Sequence, residues 1–215
     1  MDIKKIQILG PFSTGTNLLS QILINNLEQN VIIHPEGHTL FWKHTINRRF
    51  IINSIKSNKD TLYICLYKPL NNWIYSMKKY SYDIRWNKNL KDKCSFEGVE
   101  YENIINLYNR FYNMYTEFIN NVDRVIFMNY YEIINKKIVV NYISNKLSKF
   151  KLNIKKNHNI MLILNKPSKD HGNGVGSSDG AIKKKKECIS EMNKEENKLI
   201  INKYFSQIIF NFYEK

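Results

Sequence analysis

Gly10-Pro11-Phe12-Ser13-Thr14-Gly15-Thr16-Asn17 joins an apolar run to an apolar-periodic one, and it is made of short hydroxyl and amide side chains punctuated by glycine. Gly10 and Gly15 keep the Gly-x4-Gly spacing of a phosphate-cradling loop. Backbone N–H groups of such a loop point inward, and the dipole of the helix that follows adds a positive end, so an anion is the natural occupant. Thr16 stands where a kinase or ATPase carries its Lys against the β- and γ-phosphates. The loop is therefore expected to hold phosphate without being built for a triphosphate.

The elements around it follow from hydrophobic periodicity. The β-branched run Ile6-Gln7-Ile8-Leu9 precedes the loop, and Leu18, Leu19, Ile22, Leu23 and Leu27 follow at helical spacing. Val31-Ile32-Ile33 reads as a short strand, residues 48–57 as a helix with Phe50, Ile51 and Ile55 inward, and residues 61–66 as a strand buried on both faces. Pro69 ends that strand, and a helix begins near Asn71 with Trp73, Ile74 and Met77 on one face. Residues 81–97 (Tyr82, Arg85, Trp86, Lys88, Lys91, Lys93) read as a mobile connection. Residues 99–120 predict a helix whose aromatic stripe belongs to the core, residues 124–128 a buried strand, and residues 137–147 a helix. Ile160 to Leu164 reads as a short strand, residues 168–182 as a flexible Gly-rich loop, and residues 182–212 as a helical tail.

Strands alternating with helices predict a single α/β domain over residues 1–215: a central parallel sheet flanked by helices, with the P-loop after the first strand. Ligands of such sheets bind at the carboxyl ends of the strands. That rule brings residues 13–17, Lys43-His44 and residues 68–76 to one edge although they are far apart in sequence.

Composition bounds the function. In 215 residues, 43% hydrophobic and 13% aromatic content support a folded core. The net charge of +14 suits a polyanionic partner such as a nucleotide cofactor or an acidic glycan. No DNA- or RNA-binding motif accompanies it, so nucleic acid is not an expected partner. The three cysteines, Cys65, Cys94 and Cys188, form neither a disulfide framework nor a metal pair. With no signal-peptide pattern and no apolar run of about 20 residues, a soluble cytoplasmic protein is expected.

The motifs taken together resemble the PAPS-dependent sulfotransferases, a P-loop-containing family. Ser13-Thr14-Gly15-Thr16-Asn17-Leu18-Leu19 occupies the place of the family's Arg/Lys-Ser-Gly-Thr-Thr-x-Leu loop, which binds the 5′-phosphosulfate. Lys68 and Ser76 keep the separation of the Arg and Ser that hold the 3′-phosphate, and Trp73 and Met77 fit the intervening pattern. Trp42-Lys43-His44 resembles the strand that supplies a catalytic Lys or His, Tyr131-Glu132 the family's Tyr-Glu-Asp-Leu, and Tyr213-Glu214 its Gly-Tyr-Glu ending. Gly172-Asn173-Gly174 and residues 183–186 loosely match its late Gly-rich basic loop. Two positions depart from the pattern: Ser13 replaces a basic residue, and Lys68 replaces an Arg whose planar fork grips phosphate at two points.

The resemblance implies sulfuryl transfer from PAPS to an acceptor hydroxyl, with a carbohydrate as the expected acceptor and no metal required. Ser13, Thr14, Gly15, Thr16, Asn17, Lys68 and Ser76 are the expected cofactor-binding residues. Lys43 would neutralise the leaving phosphate, and His44 would act as general base, with His34, Glu36 and His38 as rivals. Neighbours 43 and 44 point to opposite faces of a regular strand, so both serve one site only where the strand breaks. Trp42 and Trp73 are expected in the core, and Trp86 is a candidate stacking surface. Two alternatives use the same residues: a P-loop nucleotide or nucleoside kinase, which the missing Lys opposes, and a catalytically degenerate polyanion- or nucleotide-binding module.

Overall fold

Thr61-Leu62-Tyr63-Ile64-Cys65-Leu66-Tyr67 has no polar face to offer solvent, and in the computed structural model every residue of this strand is buried. The structure describes residues 2–34, 41–155, 159–165 and 194–204. In chain order the elements are β1 (Lys5–Leu9), α1 (Thr16–Asn26), β2 (Ile32–Ile33), α2 (Arg48–Ser57), β3 (Thr61–Tyr67) and α3 (Leu70–Lys79). A small antiparallel unit of β4 (Arg85–Trp86), β5 (Cys94–Phe96) and β6 (Val99–Tyr101) leads into α4 (Ile104–Asn121). Then come β7 (Val125–Asn129), α5 (Tyr130–Ile133), α6 (Val139–Ser148), α7 (Asn159–Asn165) and α8 (Glu195–Tyr204).

The main sheet has the order β2-β1-β3-β7 and is parallel throughout. Lys5 pairs with Thr61 and Leu9 with Cys65, while Tyr63 pairs with Val125 and Tyr67 with Asn129. Side chains alternate across a strand, so β3 feeds two cores. Tyr63, Cys65 and Tyr67 face α2, α3, α4 and the small sheet. Leu62, Ile64 and Leu66 face α1, α6 and α7. The chain is thus a single α/β domain whose central parallel sheet is flanked by helices.

Several boundaries differ from the sequence expectation. Residues 81–97 are not a bare connection, because β4 and β5 lie within them. The helix expected from residue 99 starts at Ile104: Val99–Tyr101 pairs with β5, and the Asn103 side chain caps the helix by accepting from the N–H groups of Ile105 and Asn106. Its aromatic stripe (Tyr108, Phe111, Tyr112, Tyr115) is core, as the pattern demands. Ile160 to Leu164 is helical, not a strand. A short apolar run has no period that separates the two, and the i, i+4 pair Ile160 and Leu164 is what fits the core beside α1. Residues 168–182, 183–186, 213 and 214 lie outside the described residues, as does the helical tail apart from α8.

Arg124, just before β7, ties three elements together. Its Nη1 donates to the carbonyls of Asn58 (2.6 Å) and Thr61 (3.1 Å), and its Nη2 donates to that of Ile55 (3.3 Å). The guanidinium thus supplies donors to carbonyls at the C-terminal end of α2, where a cation is favoured. Arg124→Ala strips donors from these carbonyls and removes a buried stem. It is expected to lower the unfolding free energy by about 2–4 kcal/mol, read by urea denaturation. A loss below about 1 kcal/mol would mean that water replaces these bonds.

Candidate functional site

All four strands of the main sheet run the same way, so their carboxyl ends share one edge: the loop after Leu9, His34 after Ile33, Lys68 after Tyr67 and Tyr130 after Asn129. The edge is organised by Gly10. A Cβ there would lie 2.5 Å from Thr14 Oγ1 and 3.2 Å from the Cβ of Leu66. Thr14 Oγ1 is itself committed, donating to the Pro11 carbonyl at 2.6 Å. Ser13 (φ 60) and Gly15 (φ 86) are both left-handed, which bends the chain into the start of α1. Gly15 N-caps that helix without any side-chain bond to its first-turn N–H groups, and a Cβ on it would lie 2.8 Å from the Tyr130 ring. The loop thus delivers the chain to the N-terminus of α1, whose first-turn N–H groups have no side-chain cap.

Lys68 and Ser76, eight residues apart, meet. Lys68 is buried, and its Nζ donates to Ser76 Oγ at 2.8 Å and to the Ser13 carbonyl at 3.1 Å. Ser76 Oγ in turn donates to the Asn72 carbonyl at 3.1 Å. The Lys68 ammonium sits 4.6 Å from the centroid of the Tyr130 ring, and burial pushes the Tyr130 hydroxyl up to about 12, so it stays protonated. Tyr108 Oη donates to the Lys68 carbonyl at 2.9 Å, anchoring the strand end on α4.

Trp42, Lys43 and His44 lie in a turn and not in a strand. That change removes the opposite-face problem, because both buried side chains reach the loop. Lys43 Nζ donates to Asn17 Oδ1 at 2.6 Å, and His44 Nδ1 donates to the Gly10 carbonyl at 2.6 Å. A carbonyl only accepts, so Nδ1 carries the hydrogen and Nε2 is the basic nitrogen of the neutral ring. The Gly10 N–H donates back to the Lys43 carbonyl at 3.2 Å. His34 instead follows the edge strand β2, its N–H donating to Ile6, while Glu36 and His38 lie outside the described residues.

Expected and observed roles of the tryptophans partly exchange. Trp73 is core and its Nε1 donates to the Phe12 carbonyl. Trp86 is also buried, its Nε1 satisfied by the Asn89 carbonyl. Trp42, expected inside, is 38% exposed. It joins Phe12, Phe96, His44 and Tyr82 (37% exposed) in an aromatic cluster around the loop. Tyr82 stacks on Phe12 at 5.0 Å, and its hydroxyl lies 3.1 Å from Ser13 Oγ.

Three contributors carry no motif of their own: Tyr130, Tyr82 and Glu97. Glu97 sits in the two-residue turn between β5 and β6, with Gly98 beside it and both at positive φ (48 and 76). Its carboxylate accepts from Thr45 Oγ1 at 2.6 Å and from the Ile46 N–H at 2.9 Å. The hairpin thereby holds the turn that aims Lys43 and His44. Gly98 is the kind of residue that a two-residue hairpin turn favours, but nothing local says which segment the Glu97 carboxylate grips. In Glu97→Ala the Ile46 amide is expected to exchange with solvent about tenfold faster or more, the worth of one charge-assisted bond, while amides of β1 and β3 keep their protection. Unchanged exchange at Ile46 would show that the turn is held by other contacts.

The chain matches no protein-family model, no curated protein and no solved structure.

Proposed function

We propose that this protein is a sulfotransferase that moves a sulfuryl group from PAPS to a hydroxyl of a carbohydrate acceptor. The observation that carries this reading is the reach of Lys68, whose Nζ bonds both Ser76 Oγ and the loop carbonyl of Ser13. Two separate anion-binding elements, the loop before α1 and the β3–α3 junction, are thereby joined by a single side chain. A nucleotide with phosphates at both its 5′ and 3′ positions matches such a pair of elements. The donor chemistry fits: backbone N–H groups, Thr16 and Asn17 for the 5′ end, and Lys68 with Ser76 for the 3′-phosphate. The basic residue missing at Ser13 has a spatial substitute in Lys43, buried beside the loop.

When bound, PAPS would supply a sulfur that gains a bond to the acceptor oxygen as its bond to the 5′-phosphate oxygen breaks, the electron pair staying with the phosphate. The protein's part is positioning and electrostatics. The loop N–H groups and the Lys43 ammonium hold the negative charge that builds on the phosphate. His44 takes the acceptor hydroxyl proton at Nε2, its ring oriented by the Nδ1 bond to Gly10. Trp42 and Tyr82, exposed beside the loop, offer flat faces on which the C–H side of a sugar ring stacks.

Calorimetry with adenosine 3′,5′-bisphosphate, adenosine 5′-monophosphate and ATP tests the cofactor. The bisphosphate is expected to bind tightest. Lys68→Ala should weaken it by about 1.5–3 kcal/mol, the range for hydrogen bonds to charged groups, and barely alter the monophosphate. Equal losses for both ligands would remove Lys68 from the 3′-phosphate. For the chemical step, His44→Asn keeps an N–H donor for the Gly10 carbonyl and removes the base. With PAPS and a panel of sugars, its single-turnover rate should fall about 10²–10⁴-fold at unchanged cofactor affinity. A rate near that of the unmodified protein would assign the proton to another group.

A further inference from the structure

A buried donor beside the Lys68–Ser76 pair lacks an acceptor. Asn72 is 7% exposed, and its side-chain nitrogen has no hydrogen-bond partner among the described residues. Its backbone carbonyl accepts from Ser76 Oγ. An unsatisfied buried amide is costly, so native structures keep few of them. Asn72 and Ser76 are one turn apart on α3, and such i, i+4 neighbours share a face with Cβ atoms about 5–6 Å apart. The same face meets the Lys68 ammonium through Ser76 Oγ. A cation, the hydroxyl bonded to it and, one helical turn from that hydroxyl, an unfilled amide donor thus lie at the β3–α3 junction.

We infer that Asn72 is a third ligand of the phosphomonoester held by Lys68 and Ser76, donating from Nδ2 to a phosphate oxygen. The inference rests on the cofactor reading above and names a specificity residue within it. Lys68 carries the charge as a single point and lacks the two-pronged geometry of a guanidinium. A fixed amide donor one turn before Ser76 supplies the second, directional contact that a lone ammonium does not. Selectivity for a 3′-phosphate over a 3′-hydroxyl then depends on Asn72 as well as on Lys68.

This role has a signature that a structural asparagine would not give. Asn72→Ala removes an unsatisfied donor and introduces a better helix former, so the melting temperature of the ligand-free protein is expected to hold or rise. At the same time its affinity for adenosine 3′,5′-bisphosphate should fall about tenfold or more, and its affinity for adenosine 5′-monophosphate should stay within about twofold. Asn72→Asp keeps the shape and sets a carboxylate against the phosphate, so it should abolish the preference for the bisphosphate. Three results overturn the inference: a destabilised Asn72→Ala protein, equal losses for the two nucleotides, or a preserved preference in Asn72→Asp. If the unmodified protein itself shows no preference for the 3′-phosphate, the cofactor reading falls and the role of Asn72 falls with it. A preference that survives both substitutions removes Asn72 alone.

Discussion

The absence of a side chain at Gly10 is the constraint on which the site depends. Its Cα lies against Thr14 and against Leu66 of the central strand, with no room for a methyl group. Both of its backbone polar groups are taken by the turn at residues 42–45. One residue therefore fixes the loop to the sheet on one side and to Lys43 and His44 on the other. Close packing makes such a point rigid, since neighbours cannot relax without breaking their own contacts. Thr14 illustrates this: its hydroxyl, against which a Cβ on Gly10 would press, already closes the loop through Pro11.

Charge is arranged around that point by distant parts of the chain. Two buried ammonium groups, from the turn and from the end of β3, reach the loop at its two shoulders, Asn17 and Ser13. Tyr130 fills the space between the Lys68 ammonium and Gly15, its ring against both. A ring face attracts a cation without neutralising it, so Lys68 is held in place with its charge intact. This accounts for a loop with no basic residue of its own: the positive field comes from its neighbours and from the helix end.

The small antiparallel sheet serves the site from outside the main fold. Phe96 packs on Phe12 and Trp42, and Glu97 in the next position grips the turn at Thr45 and Ile46. Adjacent residues of one hairpin thus touch the loop tip and the turn that carries Lys43 and His44. The hairpin does so with a backbone that suits Gly98 more than Glu97, and strain of that kind persists where surrounding contacts over-determine it.

Local pattern was enough for much of this architecture. The apolar run of β3, the 3.6-residue aromatic stripe of α4 and the glycine spacing of the loop each report a constraint acting within a few residues, so all three were legible. The parallel order then followed from alternating elements, and with it the meeting of residues 13–17, 43–44 and 68–76 at one edge. The sequence left other features open because they are settled by partners far away in the chain. The run at Ile160 to Leu164 has the same composition as a strand, and the groove beside α1 made it a helix. Trp42 and Trp86 are equal as residues, and only tertiary packing decided which was covered. Glu97 and Ile46 are 51 residues apart, and the strand that sequence expected at Lys43 became a turn where both side chains reach Gly10 and Asn17. Periodicity carries no information about such pairings, because a hydrogen bond between remote segments constrains neither segment's own pattern; tertiary packing alone determines it.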